Sequence, residues 1–168
     1  DRSVGTTGST GGTGNLGGAL NVGGSLEDDF FEQCVGTNGS GGQIVWFYNN
    51  ASASTVTYTL SEQVAIVTDG GTQAPIVVEG YNTTRGDNPT GESRPTIATG
   101  ANSINWGDNW DSYNLQFTGT GTNVSSLGVN GKSVNCKITN LSSTADRVAL
   151  NFFGGDALAF SNEVNCYK

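Results

Sequence analysis

The sequence predicts an all-β chain folded as a parallel β-helix, a solenoid in which short strands stack turn upon turn. Three observations carry this. Strand-like runs with a period of two recur from residue 43 onward. The 26 glycines, with abundant Ser, Thr and Asn, punctuate those runs with turn chemistry and leave no long helical stripe. A short motif centred on asparagine returns at Asn114, Asn135 and Asn165, and a repeat of this length without helices points to a solenoid.

The elements follow in order. Residues 1–25 form a Gly/Thr/Ser-rich arm or linker. Residues 26–35, LEDDFFEQCV, read as a short capping helix for the N-terminal end of the stack. Ser25 is its N-cap, Glu27, Asp28 and Asp29 suit the positive end of its dipole, and Leu26, Phe30, Phe31 and Cys34 share one face. Residues 26–168 are then the N-terminal turns of the β-helix, expected to continue beyond the chain end. The strands are QIVWFYN, TVTYTL, VAIVT and PIVVEGY, followed by RPTIAT, NSINW, YNLQFTG, SVNCKITN, RVALNFF, LAFSN and EVNCYK. They follow one another too closely for the helices of a βαβ fold.

The repeat aligns SYNLQFTGT at 112–120, SVNCKITNL at 133–141 and EVNCYK at 163–168. Each turn of such a solenoid buries its inward side chains only against its neighbours, so equivalent positions form columns. Tyr113, Leu115 and Phe117 are expected inward, as are Val134, Cys136 and Ile138. Asn114, Asn135 and Asn165 are expected at bends, forming a side-chain ladder; asparagine tolerates the left-handed backbone a sharp bend needs. Cys136 and Cys166 should then lie on adjacent turns as free, stacked, buried thiols, a disulfide being the alternative.

Composition narrows the function. The 168 residues allow one domain with a real core. A net charge of −8 disfavours nucleic-acid and anionic-membrane partners, and no apolar run is long enough to span a bilayer. The chain has no histidine, which removes the usual general base and the serine and cysteine triads. Its three cysteines, with no CxxC, do not suggest a zinc site or a complete disulfide framework. Starting at Asp1, it reads as a mature product or a fragment of something longer.

The stretch IVVEGYNTTRGDNPTGESRPTIATGANSINWGDNW, which begins at Ile76, resembles segments of pectate-lyase-like right-handed β-helix proteins and of uncharacterised phage and metagenomic sequences. The resemblance is strong over 75–140, looser over 15–74, and beyond 140 rests on the form of the repeat. It implies a right-handed coil and an extracellular or virion-surface setting. It supplies no catalytic motif, because the calcium-binding carboxylates and basic residue of pectate lyases have no counterpart here that transfers residue by residue.

Several positions carry two readings. Arg85-Gly86-Asp87 is an RGD tripeptide, read as a turn with Arg85 near Asp87 or Glu92 rather than as an adhesion motif. Trp106, Asp108, Trp110 and Asp111, with Asn109 among them, form an aromatic and acidic cluster that could bind carbohydrate. Asp108 and Asp111 could also ligate Ca2+, and no other cofactor is expected. The plainer reading places a tryptophan in the core and the aspartates in a turn. Sequons stand at Asn38, Asn50, Asn82, Asn123 and Asn140.

Two classes of function result. The first is a structural virion-surface or extracellular protein, such as a phage tailspike, tail fibre or capsid decoration. It would associate with itself as a homotrimer or by head-to-tail stacking, and could bind a cell-surface glycan. The second is a polysaccharide lyase or glycoside hydrolase, which needs paired carboxylates across a groove. Glu79, Asp87, Asp108, Asp111, Asp146 and Asp156 supply carboxylates, but no spacing singles out a pair.

Overall fold

The computed structural model describes residues 2–4, 25–26, 44–49, 57–60, 62–66, 74–153 and 155–166. These are all-β, with one 3-10 turn at Gly91–Ser93, and among them no helix is long and apolar enough to cross a membrane.

Sixteen strands among the described residues fall into three sheets. Sheet A takes β1 (Arg2–Val4), β3 (Ile44–Tyr48), β6 (Ile76–Tyr81), β9 (Trp110–Tyr113), β12 (Lys132–Val134) and β15 (Leu158–Phe160). Sheet B takes β2 (Ser25–Leu26), β4 (Thr57–Leu60), β7 (Thr96–Gly100), β10 (Gln116–Gly119), β13 (Lys137–Asn140) and β16 (Glu163–Cys166). Sheet C takes β5 (Val64–Ala65), β8 (Ile104–Asn105), β11 (Asn123–Leu127) and β14 (Val148–Phe152). From β3 onward the chain visits A, B and C in rotation. Every pairing is parallel, and strands lie in each sheet in sequence order. The crossover that a parallel pair requires is supplied by the strands of the other two sheets rather than by a helix.

The core follows from this register. In sheet B, Tyr58, Ile97, Phe117 and Ile138 are in register and fully buried. In sheet C, Val64, Ile104, Ser125 and Leu150 form the corresponding column. In sheet A the inward column is Val45, Val78, Ser112 and Ser133. Gly80 continues the Phe47 position where the chain turns toward sheet B. A Cβ there would stand 2.2 Å from the Asn114 carbonyl oxygen, so only glycine allows the two turns to approach.

Three expectations change. Leu26 lies in β2, paired with Leu60, so Ser25 and Leu26 are strand rather than the start of a helix; the rest of 26–35 lies outside the described residues. Within the expected 1–25 arm, Arg2–Val4 is a strand paired with β3, and residues 5–24 are outside the described set. Tyr113 and Val134 do not point inward. Their in-strand neighbours Ser112 and Ser133 do, because the bend after each strand resets the alternation.

Candidate functional site

The predicted aromatic and acidic cluster is split by the fold. Trp106 and Trp110 are 4% and 1% exposed and stack on each other in the core, with ring centroids 5.8 Å apart. Trp106 Nε1 donates to the buried Ser125 hydroxyl at 3.1 Å. Both rings are packed in the core, where the plainer reading placed a tryptophan, and Trp106 also borders a cavity. Asp111 lies on the outer side of sheet A, in register with Val77 and Lys132. Its Oδ2 accepts from Lys132 Nζ at 3.3 Å and from the Tyr113 hydroxyl at 3.2 Å. Burial, then the Asp111 charge, pushes the Tyr113 phenol up to about 12. Asp108 sits in the corner before β9, where its Oδ1 accepts the Val129 N–H at 2.8 Å. The two carboxylates thus bond to different partners, Asp108 at a corner and Asp111 within β9, and no group of three or more metal-ligating side chains occurs among the described residues.

The asparagine ladder is present in part. Asn114 and Asn135 both have left-handed backbones, with φ of 57° and 51°, at the A-to-B bend. Asn135 Nδ2 donates to Asn114 Oδ1 at 2.6 Å, and Asn114 Nδ2 donates to Asn88 Oδ1 at 3.3 Å. The buried Arg94 donates Nη2 to Asn135 Oδ1 at 2.7 Å. The next bend is made by Ser161 (φ 53°), while Asn165 pairs with Thr139 inside β16. Asn165 is therefore not a rung. A second stack, unforeseen in the sequence, occupies the C-to-A bend: Asn109, Asn130 and Asp156 have φ of 58°, 58° and 63°, and Asn130 Nδ2 donates to Asn109 Oδ1 at 3.2 Å.

The same shift separates the thiols. Cys166 is in register with Asn140, not Cys136. Both are free; Cys136 is buried and Cys166 exposed, so they are not the stacked pair expected, and Cys34 lies outside the described residues. Burial raises the Cys136 thiol above its ordinary value. Asp87 of the RGD tripeptide builds a turn, accepting N–H groups from Asn82, Thr83 and Thr84. The Arg85 guanidinium lies over the Trp46 ring, 5.6 Å from its centroid, and Glu92 accepts from Lys137 Nζ at 2.8 Å.

Two surface features remain. At the last circuit the core columns lose their cover: Ile138 is 0% exposed and its partner Val164 48%, while Leu127 is 0% and its partner Phe152 47%. The outer side of sheet C, by contrast, is a depression. Its floor is a column of short side chains, Ala65, Asn105, Ser126 and Asn151. Two cavities of about 280 and 320 Å³ lie along it and share Asn105 and Phe153. The first is bounded by Trp106, Asp108 and Ser126, and the second by Gln63, Asn102 and Asn123. Gly128 lets the corner close, since a Cβ there would lie 2.5 Å from the Gly107 carbonyl oxygen.

Comparison with protein-family models, with curated proteins and with solved structures finds no match to this chain.

Proposed function

We propose that this chain forms coils of a right-handed parallel β-helix of the pectate-lyase-like type and works as a structural part of an extracellular or virion-surface assembly, as a tailspike, tail fibre or capsid-decorating protein does. The observation that carries the reading is the exposed end of the stack. Val164, Phe152 and the outward Phe160 (69% exposed) leave apolar surface open where the preceding circuits bury theirs. Among the described residues, no further strand lies beyond β14, β15 and β16 in their sheets. Unpaired edges beside exposed apolar columns recruit further chain. A coil of the same build, whether further chain or a second copy, pairs with all three edges at once, and a second copy is the cover proposed here.

A closed homotrimer and a head-to-tail stack differ in mass. Sedimentation of the full chain tests both. A fixed threefold mass marks the trimer, and growth with concentration marks the stack. Val164→Lys with Phe152→Asp is expected to return the chain to monomer. A wild-type chain that stays monomeric at high concentration overturns the assembly reading.

A further inference from the structure

The loop between β6 and the 3-10 turn holds one residue whose backbone conflicts with its neighbour. Eight non-glycine residues among those described have left-handed backbones, and of these only Asn88 precedes a proline. A following proline ring confines a residue largely to extended backbone. At φ 47°, Asn88 is therefore held in a conformation that its sequence disfavours. Contacts on both sides hold it there. Asp87 accepts the N–H groups of Asn82, Thr83 and Thr84. Pro89 is buried, and its carbonyl accepts from Asn135 Nδ2 at 3.1 Å.

The Asn88 side chain is fixed as well. Its Nδ2 donates to the Gly86 carbonyl at 3.1 Å, and its Oδ1 accepts from Asn114 Nδ2 at 3.3 Å. An acceptor on the N–H and a donor on the oxygen both favour the deprotonated amide, the form whose nitrogen is nucleophilic. Proline decides which reaction is open to it. The usual fate of asparagine is attack by the next backbone nitrogen on the side-chain carbon. Pro89 has no N–H to lose, which closes that route. What remains is attack by the side-chain nitrogen on the backbone carbonyl of the same asparagine.

We propose that the chain cleaves itself between Asn88 and Pro89. Asn88 Nδ2 bonds to the Asn88 backbone carbonyl carbon, and the bond from that carbon to the Pro89 nitrogen breaks. The proton lost by Nδ2 passes through solvent to the departing proline nitrogen. The products are a five-membered succinimide at the new C-terminus and a free secondary amine on Pro89. Water then opens the succinimide to asparagine or isoasparagine. Residues 83–88 are exposed, so solvent reaches the bond. Cleavage releases the left-handed backbone that folding imposes, which gives the reaction its drive in the folded chain. The two new ends stay seated, because separate contacts hold Asp87 and Pro89.

The test incubates the full, folded chain at neutral and at mildly alkaline pH, followed by intact mass and peptide mapping. Fragments 1–88 and 89–168 are expected, the second with Pro89 as a free N-terminus. The first should appear one water lighter than a hydrolytic product and then convert to asparagine and isoasparagine. The rate should rise with pH, because the attacking nitrogen must lose a proton. It should be at least about tenfold faster in the folded chain than in guanidinium, where the backbone at Asn88 is free to relax. Asn88→Gly removes the nucleophile, suits a left-handed backbone and should abolish cleavage in a chain that still folds. A chain that stays intact, cleavage that persists in Asn88→Gly, or equal rates in the folded and unfolded chain would each overturn the proposal. So would a 1–88 fragment with neither succinimide nor isoasparagine at its end, the mark of ordinary hydrolysis.

Discussion

The Asn135 side-chain Nδ2 donates to the Asn114 side-chain Oδ1 at 2.6 Å, across one full circuit of the chain. Asn135 also donates to the Pro89 carbonyl at 3.1 Å and accepts from Arg94, so one side chain ties three segments together. Arg94 is 6% exposed, and its Nε has no partner, so the bond to Asn135 weighs heavily on a buried cation. Asn135→Ala is expected to destabilise by about 1–3 kcal/mol, the range for leaving buried polar groups unpaired. Asn135→Gly loses the same bonds but relieves the backbone at φ 51°, so it should cost less than alanine. Chemical denaturation of both variants measures this; equal stability of wild type and alanine variant would contradict the ladder.

The rungs at Asn114 and Asn135 were legible because the circuit between them keeps one offset, 21 residues, in sheets A and B and carries the same motif at both ends. The third was not. The circuit from Asn135 to Ser161 is longer, and the VNC of β16 repeats the VNC at 134–136 at a different register position. The Asn109 and Asn130 stack gave the same spacing signal, in GDNW and GVNG, but its residues lie between strands. Strand β11 was missed for a chemical reason: NVSSL places two buried serines where apolar residues normally mark a strand. The groove was invisible because its floor is read across four circuits, and no local pattern brings Ala65, Asn105, Ser126 and Asn151 together. Parallel sheets in sequence order, by contrast, were legible from short, closely spaced strands together with the repeat and the family resemblance.

The burial gradient along sheet B sets a second prediction. Ile138→Ala removes a fully buried side chain and should cost about 2–5 kcal/mol, as such truncations do. Val164→Ala, at the same register position one circuit later, should cost well under 1 kcal/mol in the isolated chain, because Val164 is half exposed. Thermal melts of dilute samples compare the two. A Val164 cost that grows with protein concentration would mark that position as buried in an assembly.

Two carboxylates give opposite pH dependences. Burial raises the Asp87 carboxyl, but the N–H bonds from Thr83, Asn82 and Thr84 outweigh it and hold the group below its ordinary value. The stability this confers is complete above the ordinary aspartate pKa, about 3.9, and is lost as pH falls through the lower folded value. Glu79 is raised by burial, against the opposing Asn114 bond, with the Asp87 charge adding to the rise. Its stabilisation is present below the ordinary glutamate pKa and is lost as pH rises through the higher folded value. Asp87→Asn should therefore destabilise at neutral pH but not at strongly acid pH. Glu79→Gln should stabilise at neutral pH, since the amide oxygen still accepts from Asn114. Melting temperatures of both variants between pH 2 and 7 check the signs.

The two described thiols should differ in reactivity. Cys166 is exposed, and Cys136 is buried with its ionisation suppressed. Alkylation followed by peptide mass analysis should label Cys166 within minutes and Cys136 only on unfolding. Equal labelling rates for both would show that sheet B opens locally around Cys136.

One distance tests parallel, in-register stacking most directly. Thr57, Thr96, Gln116, Lys137 and Glu163 form one column on sheet B. Spin labels at Thr57 and Glu163, with Cys34 and Cys166 replaced by serine, are separated by four strand spacings, or about 19 Å. Pulsed dipolar spectroscopy should give a single narrow distribution near that value, widened only by the label arms. A broad distribution, or a distance beyond roughly 30 Å, would mean that the strands do not stack circuit upon circuit at the spacing of a parallel sheet.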